Sequence, residues 1–315
     1  MAFTNRVCDK VYVINLEKEK ERLQTFDTQM NKNKIKYQRF NAILGSKVLK
    51  DDRLTDYCNT FCTDGMKGCA LSHRSIWEDA VKNNYQNILI CEDDAMISET
   101  FDRDFQNVWY HIPKDYDIVY FGCLFGCKDD SVLNKVVTKI NGFEPEDVNE
   151  KIVEIKGTVG LHCYMVSLDG AKKLLEHPIS FHVDTQLMYW IKLYNYKSYA
   201  VNPLLVDSSQ ENSNISDTYP KLLNSTFKPI ELNNLNKPST LDWAINESFF
   251  KLGTFNINYL IVMLMILVCF IPFPYVYLVY PWLLIELIYS RDTKNTFRYF
   301  VLLSIPIGIR YFLLT

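Results

Sequence analysis

The sequence predicts an α/β fold with a mostly parallel central sheet, followed by C-terminal hydrophobic, membrane-associated helices. Three observations carry this. Apolar runs of strand length alternate with segments of helical periodicity from residue 10 to about residue 206. Ile88-Leu89-Ile90-Cys91 is continuously apolar, as in a strand buried on both faces of a parallel sheet. Beyond residue 257 the chain turns apolar over lengths that no soluble helix needs.

The elements follow in order. Residues 10–14 read as a buried strand. Residues 17–31 read as a helix with Leu23, Phe26 and Met30 on one face. A short strand over 37–42 ends before Gly45. Residues 67–83 form a second amphipathic helix, with Leu71, Trp77, Ala80 and Val81 inward. Strand 87–91, helix 101–112 and strand 117–122 come next, then a charged insertion over 128–157 with no clear pattern. A strand over 162–167, helices over 170–177 and 184–193 and a strand over 198–206 complete the alternation. From 208 to 237 the chain is rich in Asn, Ser and Pro and reads as a loop or linker.

Composition excludes some functions. With 48% hydrophobic and 23% charged residues, the 315-residue chain can build a packed core. A formal net charge of −3 argues against nucleic acid as a partner, which calls for clustered Lys and Arg. The nine cysteines are odd in number and scattered. Cys58/Cys62 and Cys123/Cys127 are each four apart, without further ligands for a zinc site, so reduced thiols and a cytosolic compartment are expected. Residues 10–14 are too short an apolar run for a signal peptide.

Glu92-Asp93-Asp94 directly follows the strand at 87–91. Open α/β sheets bind ligands beyond the carboxyl ends of their strands, so carboxylates there converge on a site. Hard divalent cations take oxygen ligands and share them with substrate phosphates, and Asp94 is the candidate ligand. The bland alternative is a solvated acidic loop. Residues 13–16 leave a strand and enter a charged helix, a turn that can present N–H groups to phosphate. Ser72 and His73 form a possible binding pair, against the commoner reading of His73 as a satisfied core histidine. Asp184 is either a helix N-cap, the commoner role, or a general base or metal ligand.

Together these segments resemble glycosyltransferase family 25, which includes lipopolysaccharide sugar transferases and collagen hydroxylysine galactosyltransferases. The residues that carry the resemblance are Val11-Tyr12-Val13-Ile14-Asn15-Leu16 with Arg22-Leu23 and Arg39-Phe40-Asn41-Ala42. Gly68 to His73, Trp77 and Ile90 to Asp94 follow, then Gly160 to Ser167 with Gly170-Ala171 and Leu174-Leu175. Val183-Asp184, Pro203, Gln210 and Ser216-Asp217 close the series, which covers residues 10 to 218. The resemblance implies a GT-A-type nucleotide-sugar-binding domain, a UDP-sugar donor, a divalent metal such as Mn2+ and inversion at the anomeric carbon. It implies donor contacts at Asn15, Leu16, Arg22, Ser72, His73, Glu92 and Asp93, metal ligation by Asp94 with Glu92, and a catalytic role for Asp184. Because the acidic motif here is Glu92-Asp93-Asp94, Asp94 is the firmer ligand, and Glu92 acts at the ribose or through water. The transferase domain is expected over 1–240 and the amphipathic lead-in and membrane anchor over 241–315.

In the tail, residues 257–289 are nearly uninterrupted apolar sequence, broken by Pro272, Pro274, Pro281 and Glu286. Residues 298–314 form a third apolar stretch, interrupted by Arg310, and Arg291, Lys294 and Arg298 make a basic connection. A proline-kinked hairpin is expected, keeping the catalytic domain and the basic loop on one cytosolic side. Residues 240–252 are expected to lie in the interface, and the sequons at Asn214, Asn224 and Asn246 to be silent. Two functions fit. One is transfer of a hexose, galactose or glucose, to a glycan, lipid-linked or protein acceptor at a membrane. The other is a membrane-anchored binding or structural protein that kept the fold and lost turnover.

Overall fold

The computed structural model describes residues 1–209, 219–236 and 238–314. It divides into two compact units, Met1–Glu211 with Leu232–Pro238, and Asn212–Glu231 with Ser239–Thr315. Gln210, Ser216 and Asp217 of the closing motif, and the sequon at Asn214, lie outside the described residues.

The first unit opens with α1 (Thr4–Val7), β1 (Lys10–Asn15), α2 (Lys20–Lys32), β2 (Gln38–Asn41), α3 (Asp56–Phe61) and α4 (Asp64–Asn83). It continues through β3 (Asn87–Glu92), β4 (Ala95–Ile97), α5 (Phe101–Trp109), β5 (Ile118–Gly122), α6 (Val132–Asn141), β6 (Glu146–Asp147) and β7 (Ile152–Glu154). β8 (Cys163–Ser167), α7 (Leu168–Leu175), α8 (Val183–Tyr194), β9 (Ser198–Val201) and β10 (Val206–Ser208) complete it. Capping explains several starts: Thr55, Thr63, Ser131 and Ser167 each accept a backbone N–H from the first turn of the helix they precede.

Eight strands form one sheet in the order β2-β1-β3-β8-β5-β9-β7-β6. The expected mostly parallel sheet is corrected to a mixed one. β1 pairs parallel with β2 and β3, and β5 with β9, but β8 runs antiparallel between β3 and β5, and β7 is antiparallel to β9 and β6. A strand buried on both faces is apolar throughout whichever way it runs, so composition carries no sign of its direction. Both faces are covered. Val11, Val13, Leu89, Cys91, Val119 and Phe121 pack in one core with Phe26, Met30, Phe101 and Phe105. On the other face Tyr12 and Tyr164 reach α4, through Asp79 and Trp77.

Other expectations change in detail. The 128–157 insertion is not patternless: it supplies α6, and its β7 joins the main sheet. The expected strand 198–206 breaks into β9 and β10 around Pro203, which has no N–H to give a ladder. α2 begins at Lys20 rather than residue 17, because Glu19 N–H turns back onto Leu16 O. The reduced-thiol expectation fails for four cysteines, since Cys58–Cys62 and Cys123–Cys127 are disulfides, while Cys8, Cys69, Cys91, Cys163 and Cys269 are free. Cysteine usage therefore no longer argues for a reducing compartment.

The second unit contains α9 (Lys221–Phe227) inside the stretch read as loop, then α10 (Leu241–Asn246) and a hairpin of β11 (Ser248–Leu252) and β12 (Phe255–Asn258). The stretch read as an amphipathic lead-in thus folds as α10 followed by β11. Then come α11 (Tyr259–Phe270), α12 (Phe273–Val276), α13 (Val279–Ser290) and α14 (Thr293–Leu314). Phe273–Ser290 and Thr293–Leu314 are long and apolar enough, by length and composition, to cross a membrane. Arg298, expected in the basic connection, is buried within α14. Asn224 and Asn246, of the two sequons among the described residues, are buried.

Candidate functional site

The site lies at the carboxyl ends of β1 and β3. The antiparallel β8 delivers its first residues to the same place, because Cys163 pairs with Cys91 and with Gly122 at the end of β5. Two polar networks meet there, with Asp184 beside them.

The first network joins Asn15, Arg22, Asp93 and Asp94. Asn15 is buried, and its Nδ2 donates to Asp93 Oδ2 at 2.6 Å and to Glu19 O at 2.9 Å. Its Oδ1 accepts from Arg39 Nε at 2.9 Å. An Arg22 Nη2 lies 2.6 Å from Asp93 Oδ1 and 3.9 Å from Asp94 Oδ2. Burial raises the Asp93 carboxyl to about 6, against the opposing pull of Arg22 and the Asn15 hydrogen bond. Asp94 Oδ2 accepts from Ser208 Oγ at 2.8 Å, and Asp94 Oδ1 is buried with no hydrogen-bond partner among the described residues.

The second network runs from Glu92 into the core. Glu92 Oε1 is 3.0 Å from His73 Nε2, and His73 Nδ1 is 2.8 Å from the Tyr164 hydroxyl, which also accepts from Trp77 Nε1 at 3.1 Å. Burial pushes His73 down to about 4. Glu92 is raised well above the usual range by burial and then by the charges of Asp94, Asp184 and Asp93. Cys69, one helical turn before His73, completes a trio with Glu92 whose ligand atoms lie within 4.8 Å of one another.

Asp184 occupies the first turn of α8 but is not its N-cap: His182 holds that position. Asp184 Oδ2 accepts the Gly160 N–H at 3.0 Å, and Oδ1 lies 3.6 Å from His182 Nδ1. Gly160 has φ +109°, a conformation few other residues adopt, and that turn aims its N–H at the carboxylate. The Asp184 charge is felt by Glu92, His73 and the buried His162.

Not every expected contact residue is available here. The Ser72 hydroxyl is buried, donates to Gly68 O at 2.6 Å and accepts from Ile43 N at 2.9 Å, so it ties α4 to the preceding loop. Leu16 lines an open depression of about 520 Å³ with Glu17, Lys18, Asn41, Ala42, Leu44 and Lys47. That volume is in the range of small-ligand clefts. Sequence reasoning missed Tyr164, His162 and Ser208. His162 sits where a Cβ on Gly122 would overlap its ring, and Ser208 arrives by pairing with Ala95. His162 lies within the Gly160–Ser167 motif, which gives no role to that residue, and Ser208 has no local signal.

Comparison with known proteins identifies the family. The profile of glycosyltransferase family 25 (LPS biosynthesis protein) matches residues 8–187, more than half of the chain. A glycosyltransferase 25 family member of Aedes aegypti is 28% identical over 258 residues, covering 69% of this chain and 40% of the relative. One from Anopheles gambiae is 30% identical, covering 54% of this chain and 29% of the relative. Procollagen galactosyltransferase 2 of Mus musculus is 25% identical, covering 53% and 27%. The chain thus spans 40% or less of the length of these relatives. On this match, and on motifs that fold into one site, the chain belongs to glycosyltransferase family 25.

Proposed function

We propose that the protein is an inverting, metal-dependent hexosyltransferase with a GT-A-type donor domain. It moves galactose or glucose from a UDP-sugar to a hydroxyl of a glycan, lipid-linked or protein acceptor at a membrane. The observation that carries this is charge: Asp94, Asp184 and Asp93 all act on the buried Glu92, and Arg22 pairs with Asp93 and Asp94. A cluster so rich in carboxylate calls for a further cation. The residues fit a hard divalent ion, since their donors are oxygens and Asp94 Oδ1 is buried without a partner among the described residues. Asp94, with Glu92, would hold Mn2+, which would offset charge on the diphosphate leaving group.

The chain's own residues have the remaining roles. Asn15 and Arg22 hold the acidic turn in place. The depression beside Leu16, at the ends of β1 and β2, suits the nucleoside of the donor. Asp184 takes the proton from the acceptor hydroxyl as its oxygen bonds to the anomeric carbon. The sugar–phosphate bond breaks in the same step, and its electron pair leaves on the diphosphate. Relatives named as procollagen galactosyltransferases support galactose. The apolar helices Phe273–Ser290 and Thr293–Leu314 support the membrane. Arg291 and Lys294, at the α13–α14 connection, support a cytosolic side for that basic turn. Protease protection in sealed vesicles reads that side.

The test is calorimetry of UDP binding to the full chain. Binding is expected with Mn2+, to be lost with chelator, and to weaken at least tenfold in Asp94→Asn with unchanged circular dichroism. Equal UDP affinity in all three conditions sinks the reading and favours a protein of this fold without turnover.

A further inference from the structure

We propose that Trp77 and Tyr164 are positioning residues that fix His73 as its neutral Nε2–H tautomer, so that His73 holds the Glu92 carboxyl group in one orientation for the donor. The donor half of this inference rests on the transferase reading above. The three side chains come from separate places: Trp77 and His73 one turn apart on α4, and Tyr164 on β8. All three are buried, and the ring of Tyr120 stacks on Tyr164 at 6.0 Å.

The direction of each hydrogen bond follows from what each group can do. An indole N–H only donates. Trp77 therefore occupies one lone pair of the Tyr164 oxygen. The phenol has a single proton, and among the described residues His73 Nδ1 is the one hydrogen-bonded acceptor it has. Tyr164 thus donates to Nδ1, Nδ1 carries no proton, and the neutral imidazole keeps its proton on Nε2, facing Glu92 Oε1. The opposite assignment turns Nδ1–H toward Tyr164 and leaves the phenol proton buried and unpaired, which folded proteins rarely tolerate. A tautomer set by a buried second partner is the device by which metal and donor sites orient their contacting groups.

The same direction bears on Cys69. The trio Cys69, His73 and Glu92 has the proximity of a metal site, but the Nε2 lone pair that an ion needs is already bound to a proton. Within the trio, the His73–Glu92 hydrogen bond is the support for the Glu92 carboxyl group.

The experiment is nitrogen NMR of the full chain in detergent with labelled histidine, the His73 signals being assigned by their loss in His73→Gln. The expected wild-type signature between pH 6 and 8 is a bare Nδ1 and a protonated Nε2. Tyr164→Phe keeps the ring and removes the hydroxyl. It is expected to turn that signature into an average of two tautomers and to weaken UDP binding with Mn2+ by about 10–100-fold, as loss of a supporting partner does. A bare Nε2 in the wild type, from the other tautomer or from a bound metal, overturns the assignment without any variant. A changed tautomer in Tyr164→Phe with unchanged UDP affinity overturns the positioning role. Failure of the transferase reading is a different result: no UDP binding by the wild type, with the Nε2–H signature intact.

Discussion

At the scale of single residues, the acidic turn is a place where burial and charge oppose each other. Asp93 has a folded-state pKa raised from 3.8 to about 6, chiefly by desolvation. A carboxyl group raised in this way favours the folded state while protonated. Its stabilising effect is complete below the unfolded value near 4 and is lost as pH rises through about 6. The buried His73 and His162 have lowered pKa values and act in the opposite sense, their neutral forms favouring the fold above the histidine range and losing that effect as pH falls. The Asp93 contribution must therefore be read as a difference. We expect thermal melts of the chelated wild type to lose stability relative to Asp93→Asn between pH 4 and pH 7, and Mn2+ to restore part of it. Parallel pH curves for the two proteins would exclude the assignment. For Asp184, the Gly160 N–H fixes one carboxylate oxygen and leaves the role of base to test. Asp184→Asn should leave UDP and metal affinity near normal and lower transfer by about 10²–10⁴-fold, the usual share of a general base. Joint loss of metal and UDP binding would make it a ligand instead. Transfer at the wild-type rate would remove it from the mechanism.

At the scale of elements, α4 does most to organise the site. Its inward face carries Ser72, His73 and Trp77, three residues that tie a loop, the end of β3 and the middle of β8 to one rigid rod. Its start is set by Thr63, whose side chain accepts the Met66 N–H. Thr63→Ala leaves that N–H without its cap and should cost about 1 kcal/mol in urea unfolding, with the His73 tautomer unchanged. A stability identical to wild type would mean that water replaces the cap. β8 matters in another way. Because it runs against β3, its first residues rather than its last reach the acidic turn, and Gly160, His162 and Cys163 are all placed by that reversal.

At the scale of the whole molecule, the two units differ in how they meet solvent. The first keeps its apolar residues inside a sheet covered on both faces. The second exposes Ile266, Leu267, Phe270, Leu284, Ile288, Phe312 and Leu313 on its helices, and two of its helical stretches, Phe273–Ser290 and Thr293–Leu314, are long enough to span a membrane. Inside this unit two charged side chains are matched by backbone groups: buried Glu286 accepts from the Leu222 and Leu223 N–H groups at 3.0 Å, and Arg310 donates to Val268 O and Ile271 O at the end of α11. Such pairing is what a low-dielectric surrounding requires of any polar group within it. We expect the full chain to remain in the pellet after carbonate extraction of membranes and to need detergent for release. A protein wholly soluble without detergent would refute the anchor.

The sequence by itself determined the strands at 10–14, 87–91 and 162–167, each to within a residue, the helix carrying His73 and Trp77, the placing of Glu92-Asp93-Asp94 after a buried strand, and the apolar tail. Each of these is written in local periodicity or in short collinear motifs, which neighbouring residues along the chain are enough to specify. The tertiary structure alone decided the antiparallel course of β8, the entry of β7 into the sheet, the pairing of four cysteines and the arrival of Ser208 at Asp94. It alone revealed that the Ser72 hydroxyl is engaged by the backbone, that His182 rather than Asp184 holds the N-cap position of α8, and that Tyr164 stands between Trp77 and His73. These depend on which distant segments lie side by side. A fully buried strand has the same composition in either direction, and a tyrosine in an apolar run gives no sign of the histidine it will meet.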